Sequence, residues 1–234
     1  MAISGYPRWP SVGTSWWPRT DGGYAVTWNG TSWSLPNPID NGTYLSSVSC
    51  VSSAFCVAVD YSGNELIWNG VYWASPVSVD PGASLNSVSC ASSAFCVAVD
   101  GNGNVLSANA DSGASWSLPN PIDNGISINS VSCSSSSFCV AVDSAGNAVT
   151  WNGASWSGPA SVDPGLSLTS VSCASAGFCV AVDHYGNAVI WNGASWSLPR
   201  SVDPGASLTS VSCASSSFCV AVDSKGNGLR TNAV

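Results

Sequence analysis

The chain has 234 residues, 13 acidic and 5 basic, for a net charge of −8, and only 8% of its residues are charged. An acidic chain with scattered cations cannot neutralise a run of phosphates, so nucleic acid is not an expected partner. No apolar run reaches the roughly 18 residues of a membrane-spanning helix.

Residues 1–22 open with "MAISGYPRWP", which has neither the basic start nor the apolar core of a signal peptide. This flank holds Trp9, Trp16 and Trp17 and is expected to cover an edge or a seam. From residue 23 the chain repeats itself in units 23–62, 63–102, 103–145, 146–185 and 186–225. Each unit reads as four short strands. An apolar strand such as "NAVTW" comes first, then an "NG" turn that suits a tight hairpin. An "ASWSLP" strand and a "VDPG" or "IDNG" crossover follow. The unit ends with a "SVSC" strand, a turn, and "FCVAVD" running into a Gly-Asn turn. In "FCVAVD" both alternating faces are apolar or small, as in a central strand covered on both sides. The unit 103–145 carries "ANADSGASW" from Ala108 in place of "WNGASW". The flank 226–234, "GNGLRTNAV", is one more copy of the apolar hairpin strand.

Four strands per unit of about 40 residues, joined by a crossover, predict an all-β fold, a β-propeller in one domain spanning 1–234. Five blades are expected, with six as the alternative. The ring is expected to close through its termini, residues 23–40 supplying the outer strands of the last blade. A four-stranded blade cannot hold its own core, so it must bury both faces against neighbours.

The ten cysteines form five Cys-x5-Cys pairs: Cys50/Cys56, Cys90/Cys96, Cys133/Cys139, Cys173/Cys179 and Cys213/Cys219. Zinc motifs use closer spacing or nearby histidine, and His184 is the only histidine. No metal site and no cofactor are expected. Five disulfides within the units are expected instead, each bridging two strands, which implies an oxidising, extracellular location. They are expected to act as staples that partly replace the core a thin blade lacks.

Catalytic chemistry finds little footing, and no catalytic residue is assigned. His184 reads as a turn residue. Two rings of aspartate repeat with the units: Asp60, Asp100, Asp143, Asp183 and Asp223 before the Gly-Asn turn, and Asp40, Asp80, Asp123, Asp163 and Asp203 in the crossovers. A glycoside hydrolase needs two carboxylates in different environments. Rings of near-equivalent aspartates are expected to accept backbone N–H bonds in turns. The tryptophan hairpins are the better lead. Trp28, Trp33, Trp68, Trp73, Trp151, Trp156, Trp191 and Trp196 pair across turns that begin with Asn29, Asn69, Asn152 and Asn192. Flat rings beside amides can cover the apolar face of a sugar and bond its hydroxyls. The competing reading makes one Trp of each pair inter-blade core.

The "WNGxSW" stretch resembles the hairpin of bacterial and fungal fucose-binding propeller lectins, and the plan of small repeats resembles five-bladed lectins of the tachylectin type. The whole "SVSCASSSFCVAVD" unit is similar to repeats of secreted bacterial propellers, and "DxxGNxxxW" resembles the structural Asp-box turn of sialidase-type propellers. These resemblances imply a secreted, multivalent glycan-binding module. The repeats lack the Arg and Glu with which the fucose lectins hold their sugar, so fucose itself is not implied. The expected partner is a glycan or, for a structural propeller, an extracellular protein. The expected state is a monomer.

Overall fold

The computed structural model describes residues 2–4, 22–109 and 115–230. The flank tryptophans Trp9, Trp16 and Trp17, and the inserted residues 110–114, lie outside them.

The described residues form a β-propeller of small antiparallel sheets. Five contain a Cys pair and are called blades 1 to 5 here. Blade 1 runs Leu45–Ser52, Phe55–Asp60, Asn64–Trp68 and Val77–Ser78 from the inner to the outer strand. Blade 3 (128–161) and blade 4 (168–201) repeat it, and blade 2 (85–109 and 115–121) does so with its outer edge split into Ser115–Trp116 and Asn120–Pro121, both paired with Asn104–Asn109. Blade 5 has Leu208–Ser215, Phe218–Asp223 and Gly228–Arg230. An N-terminal sheet of Ala2–Ser4, Gly23–Val26 and Asn37–Asp40 precedes blade 1.

All five disulfides form as the spacing predicts, joining opposite residues of the first two strands in each blade. Closing so short a loop contributes roughly 2 kcal/mol per bridge. The second cysteine of each pair, Cys56, Cys96, Cys139, Cys179 or Cys219, is itself buried core. The first is not: Cys50 is exposed, and Cys90, Cys133, Cys173 and Cys213 are half-buried. The reason is strand position. The second cysteine lies on the central strand of its sheet, on the face turned to the preceding blade. Cys96 packs with Val57 and Val59 there, Cys179 with Val140 and Val142, and Cys219 with Val180 and Val182. These sulfurs fill inter-blade space as small apolar groups while they cross-link, so none of the five is a surface site. The rest of "FCVAVD" is doubly covered in blades 1 to 4: Val59, Val99 and Val142 are 0% exposed and Val182 1%.

The blades hold each other in two ways. Apolar residues of successive blades interlock, as Val97, Val99 and Val105 do with Ile128, Val131 and Cys139. The serines of "SVSC" then tie inner strand to inner strand. Val88 N–H donates to Ser47 Oγ at 3.1 Å and Cys90 N–H to Ser49 Oγ at 2.9 Å. The same two bonds recur at the three following seams, onto Ser87 and Ser89, Ser130 and Ser132, and Ser170 and Ser172. Neighbouring inner strands share no backbone ladder, and the hydroxyls supply partners that the facing backbone does not.

The expected clasp is corrected. Gly23–Val26 pairs with Ala2–Ser4 rather than with blade 5. Phe218–Asp223 pairs outward with Gly228–Arg230. Each end is completed from its own neighbourhood, because an adjacent copy of the hairpin strand closes a far shorter loop than one nearly the whole chain away. "GNGLR" thus acts as the third strand of blade 5.

Candidate ligand-binding site

The tryptophan hairpins sit on the outer rim. Trp68 and Trp73 face each other across the turn as an antiparallel bridge, as do Trp28 and Trp33, Trp151 and Trp156, and Trp191 and Trp196. Their ring centroids lie 5.7 to 5.9 Å apart, tilted by 45° to 52°. The glycine of each "NG" turn has positive φ, 92° at Gly70 and 93° at Gly153. The asparagine before it builds the turn: Asn69 Oδ1 accepts from Val71 and Tyr72 N–H, and Asn152 Oδ1 from Ala154 and Ser155 N–H. Asn29 and Asn192 do the same. Each carbonyl is therefore committed to the fold, while the residue stays exposed.

The first Trp of a pair is also tied down. Trp68, Trp151 and Trp191 Nε1–H donate to the carbonyls of Ser53, Ser136 and Ala176 at 2.9 to 3.0 Å. The pairs at Trp151/Trp156 and Trp191/Trp196 are half-buried against the preceding blade. The rings thus serve as inter-blade packing and as cleft walls together. At the altered unit Ala108 stands opposite Trp116. Trp116 Nε1–H instead donates to Glu65 Oε2 on blade 1, at 2.6 Å. Burial pushes the Glu65 carboxyl above its ordinary range, and the indole bond partly offsets this.

Two clefts open between neighbouring sheets along this rim. One, about 460 Å³, lies between the N-terminal sheet and blade 1, walled by Pro38, Ile39, Tyr72, Trp73 and Pro76, with Asn37, Asn41 and Ser75 supplying polar groups. The other, about 270 Å³, lies between blades 2 and 3 and is walled by Phe95, Val97, Trp151, Trp156 and Leu118. Beyond each hairpin the strand ends in a proline preceded by an outward residue. Leu35, Leu118 and Leu198 are each 87% exposed there. Sequence reading passed over these leucines, although the repeated "SLP" was the signal.

The aspartate rings divide the work unequally. Asp60 Oδ1 accepts from Ser62 and Asn64 N–H at 2.8 Å, and its Oδ2 from Asn64 Nδ2 at 2.7 Å. Asp100, Asp143, Asp183 and Asp223 repeat this, as expected of turn acceptors. The crossover ring departs from the expectation. Asp40 Oδ1 accepts from Gly42 N–H, but the buried Oδ2 atoms of Asp40, Asp80, Asp123, Asp163 and Asp203 meet no donor. Asp80, Asp123 and Asp163 instead face the carboxyls of Asp100, Asp143 and Asp183, whose negative charge disfavours their ionisation. Burial, then the neighbouring carboxyl, pushes Asp80 and Asp163 up to about 6 and Asp123 up to about 7. His184 Nδ1 lies 2.9 Å from Ser207 Oγ, in the turn position expected of it.

No protein-family model matches the chain, and no curated protein matches it. Its fold is nevertheless shared by solved structures. YCF48 bound to D1 peptide superposes with a TM-score of 0.68 at 13% identity, over 90% of this chain and 71% of that one. YCF48 from Cyanidioschyzon merolae gives 0.65 at 17%, over 90% and 76%. The WD40 β-propeller domain of Doa1 gives 0.67 at 13%, over 80% and 64%. At these identities the likeness establishes the β-propeller fold and nothing finer.

Proposed function

We propose that this protein is an extracellular, non-enzymatic binding propeller whose ligand is an extended polypeptide segment held in the rim clefts. The observation that carries the reading is the 460 Å³ cleft, where Tyr72, Trp73, Pro38 and Pro76 offer apolar walls beside the amides of Asn37 and Asn41. Such walls suit alternate side chains of an extended strand, and the amides suit its backbone. The exposed leucines at 35, 118 and 198 add apolar surface at the same rim position of alternate units, with Ser75 and Gly158 between them. Several weak sites on one rigid frame would add through avidity. A solved structure of the same fold holds a peptide. The five disulfides support the oxidising location. The non-enzymatic reading rests on the aspartates: both rings are built into turns and crossovers, and none of them lines either cleft.

A second reading is glycan binding by the Trp pairs, supported by their tilted rings and by the exposed asparagines at 29, 69, 152 and 192. One comparison separates the two. The immobilised protein is presented with a random linear peptide library and with a glycan array. Peptide selection rich in apolar and proline residues, lost in Tyr72→Ala, supports the first reading. Glycan hits lost in Trp156→Ala, with no peptide selected, replace it with the second.

A further inference from the structure

Each internal seam has two complementary sides. The leading side is the Phe, Val and Val of "FCVAVD" together with the two serines of "SVSC". The trailing side is the next blade, and where that blade is 3 or 4 it includes a complete Trp hairpin. Phe95, Val97 and Val99 share one cluster with Trp151 and Trp156, and Phe138, Val140 and Val142 share another with Trp191 and Trp196.

One copy of each side is left open. In blade 5, Phe218 is 49% exposed and Val222 42%, although Val222 occupies the position of the fully buried Val59, Val99 and Val142. Ser210 and Ser212 are exposed there, whereas the counterparts of Ser210 are buried (Ser87, Ser170) or half-buried (Ser47, Ser130) and those of Ser212 (Ser49, Ser89, Ser132, Ser172) are half-buried. At the opposite end, Trp28 is 47% and Trp33 54% exposed, whereas the paired tryptophans of blades 1, 3 and 4 are half-buried. We propose that a second copy of this chain closes the open seam, its Trp28–Trp33 hairpin packing on the Phe218–Asp223 strand of the first, head to tail.

Two observations favour a second copy over the chain's own hairpin. Within one chain both faces are open together, so neither covers the other. Each internal seam is also fixed by an apolar cluster, and the four inner-strand junctions by two serine bonds apiece, so closure within the chain would have to shift several junctions at once. A second copy shifts none and repeats a contact the chain already makes internally. The contact joins two different surfaces, so it is heterologous and can extend beyond a dimer. This departs from the monomer that the sequence led us to expect.

Analytical ultracentrifugation of the oxidised chain over a wide concentration range tests it. The expected result is a dimer and higher multiples growing with concentration. Val222→Lys and Trp33→Ser should each be monomeric, the loss of a buried Trp weakening association on the order of thirtyfold or more. Mixed together, the two variants should form a 1:1 dimer and nothing larger, because each keeps the side that the other has lost. Circular dichroism and complete oxidation of the ten cysteines check that each variant is folded. Should Val222→Lys not fold, Phe218→Ser, at a position already open to solvent, takes its place with the same expectation. A wild-type chain that is monomeric throughout overturns the proposal, as does association that survives both substitutions or a mixture that forms no dimer.

Discussion

Gly146 and Gly226 occupy the same place in the same motif, "AGN" in blade 3 and "KGN" in blade 5, and both have positive φ, 86° and 87°. An alanine at either must adopt the left-handed conformation, which costs roughly 1–2 kcal/mol. Their surroundings separate them. A Cβ on Gly146 would lie 1.8 Å from the Asp163 carbonyl oxygen and 2.8 Å from that of Leu166, all backbone, whereas one on Gly226 meets nothing within 4 Å. The crossover would have to retreat by more than ~1 Å to admit it. Retreat breaks the bonds that Val162 and Asp163 N–H donate to Gly146 O, both at 2.9 Å. Each is worth about 1 kcal/mol net, so the total for Gly146→Ala is about 3–4 kcal/mol. At roughly 2–4 °C per kcal/mol for a chain of this size, Gly146→Ala should lower Tm by roughly 6–16 °C and Gly226→Ala by roughly 2–8 °C, the former at least twice the latter. Thermal melts followed by tryptophan fluorescence, at low protein concentration without reductant, measure both. Equal losses would refute the reasoning, because they would mean that the crossover does not press on this glycine.

Stability should also depend on pH in the direction set by the carboxyl pairs. Asp80, Asp163 and Asp123 titrate at about 6, 6 and 7 when folded and near 3.8 when unfolded, so the folded chain holds extra protons in that window. Stability from these groups is therefore fully present below about pH 3.8, is lost as pH rises through the folded values, and is level above about pH 8. Asp223 acts oppositely: the Asn227 N–H holds its carboxyl low, and its contribution is lost only in stronger acid. Asp123→Asn, an amide that can donate to Asp143 at any pH, should flatten the profile. A melting temperature that climbs steadily from pH 5 to pH 8 would contradict this. Glu65→Ala leaves the half-buried Trp116 indole without its acceptor and should cost about 1–3 kcal/mol in denaturant titration, whereas Glu65→Gln, which keeps an acceptor without a buried charge, should cost less at pH 8. Finally, the intact mass of the unreduced chain should fall short of the reduced mass by two hydrogens for each of the five disulfides. Free thiols in the native protein would contradict that.

The repeat period, the strand alternation and the cysteine spacing were enough to read the propeller, because each acts within one unit. What escaped the sequence lies between units. "SVSC" suggested small residues in a crowded strand, but that Ser47 and Ser49 bond the next blade's backbone depends on how two inner strands lie side by side. The Cys-x5-Cys spacing treats both cysteines alike, and only the packing of successive blades shows that Cys96, Cys139, Cys179 and Cys219 face a seam while their partners are half-covered. Asp80 and Asp100 stand twenty residues apart, and only the fold sets their carboxyls together. "WNGASW" showed a paired aromatic hairpin, yet not that its Asn carbonyl is consumed by the turn or that its rings close a seam. The unlike ends follow from the same cause, since Trp28 and Val222 are ordinary members of their motifs and differ from their sisters only in having no neighbour.

The most direct test of the proposed function is hydrogen–deuterium exchange on the protein saturated with a selected peptide, compared with the free protein. The expected result is new protection at residues 37–41 and 72–76, the two walls of the larger cleft, and its loss in Tyr72→Ala. Protection confined to the inner strands or to the aspartate turns, with the cleft unchanged, would contradict it.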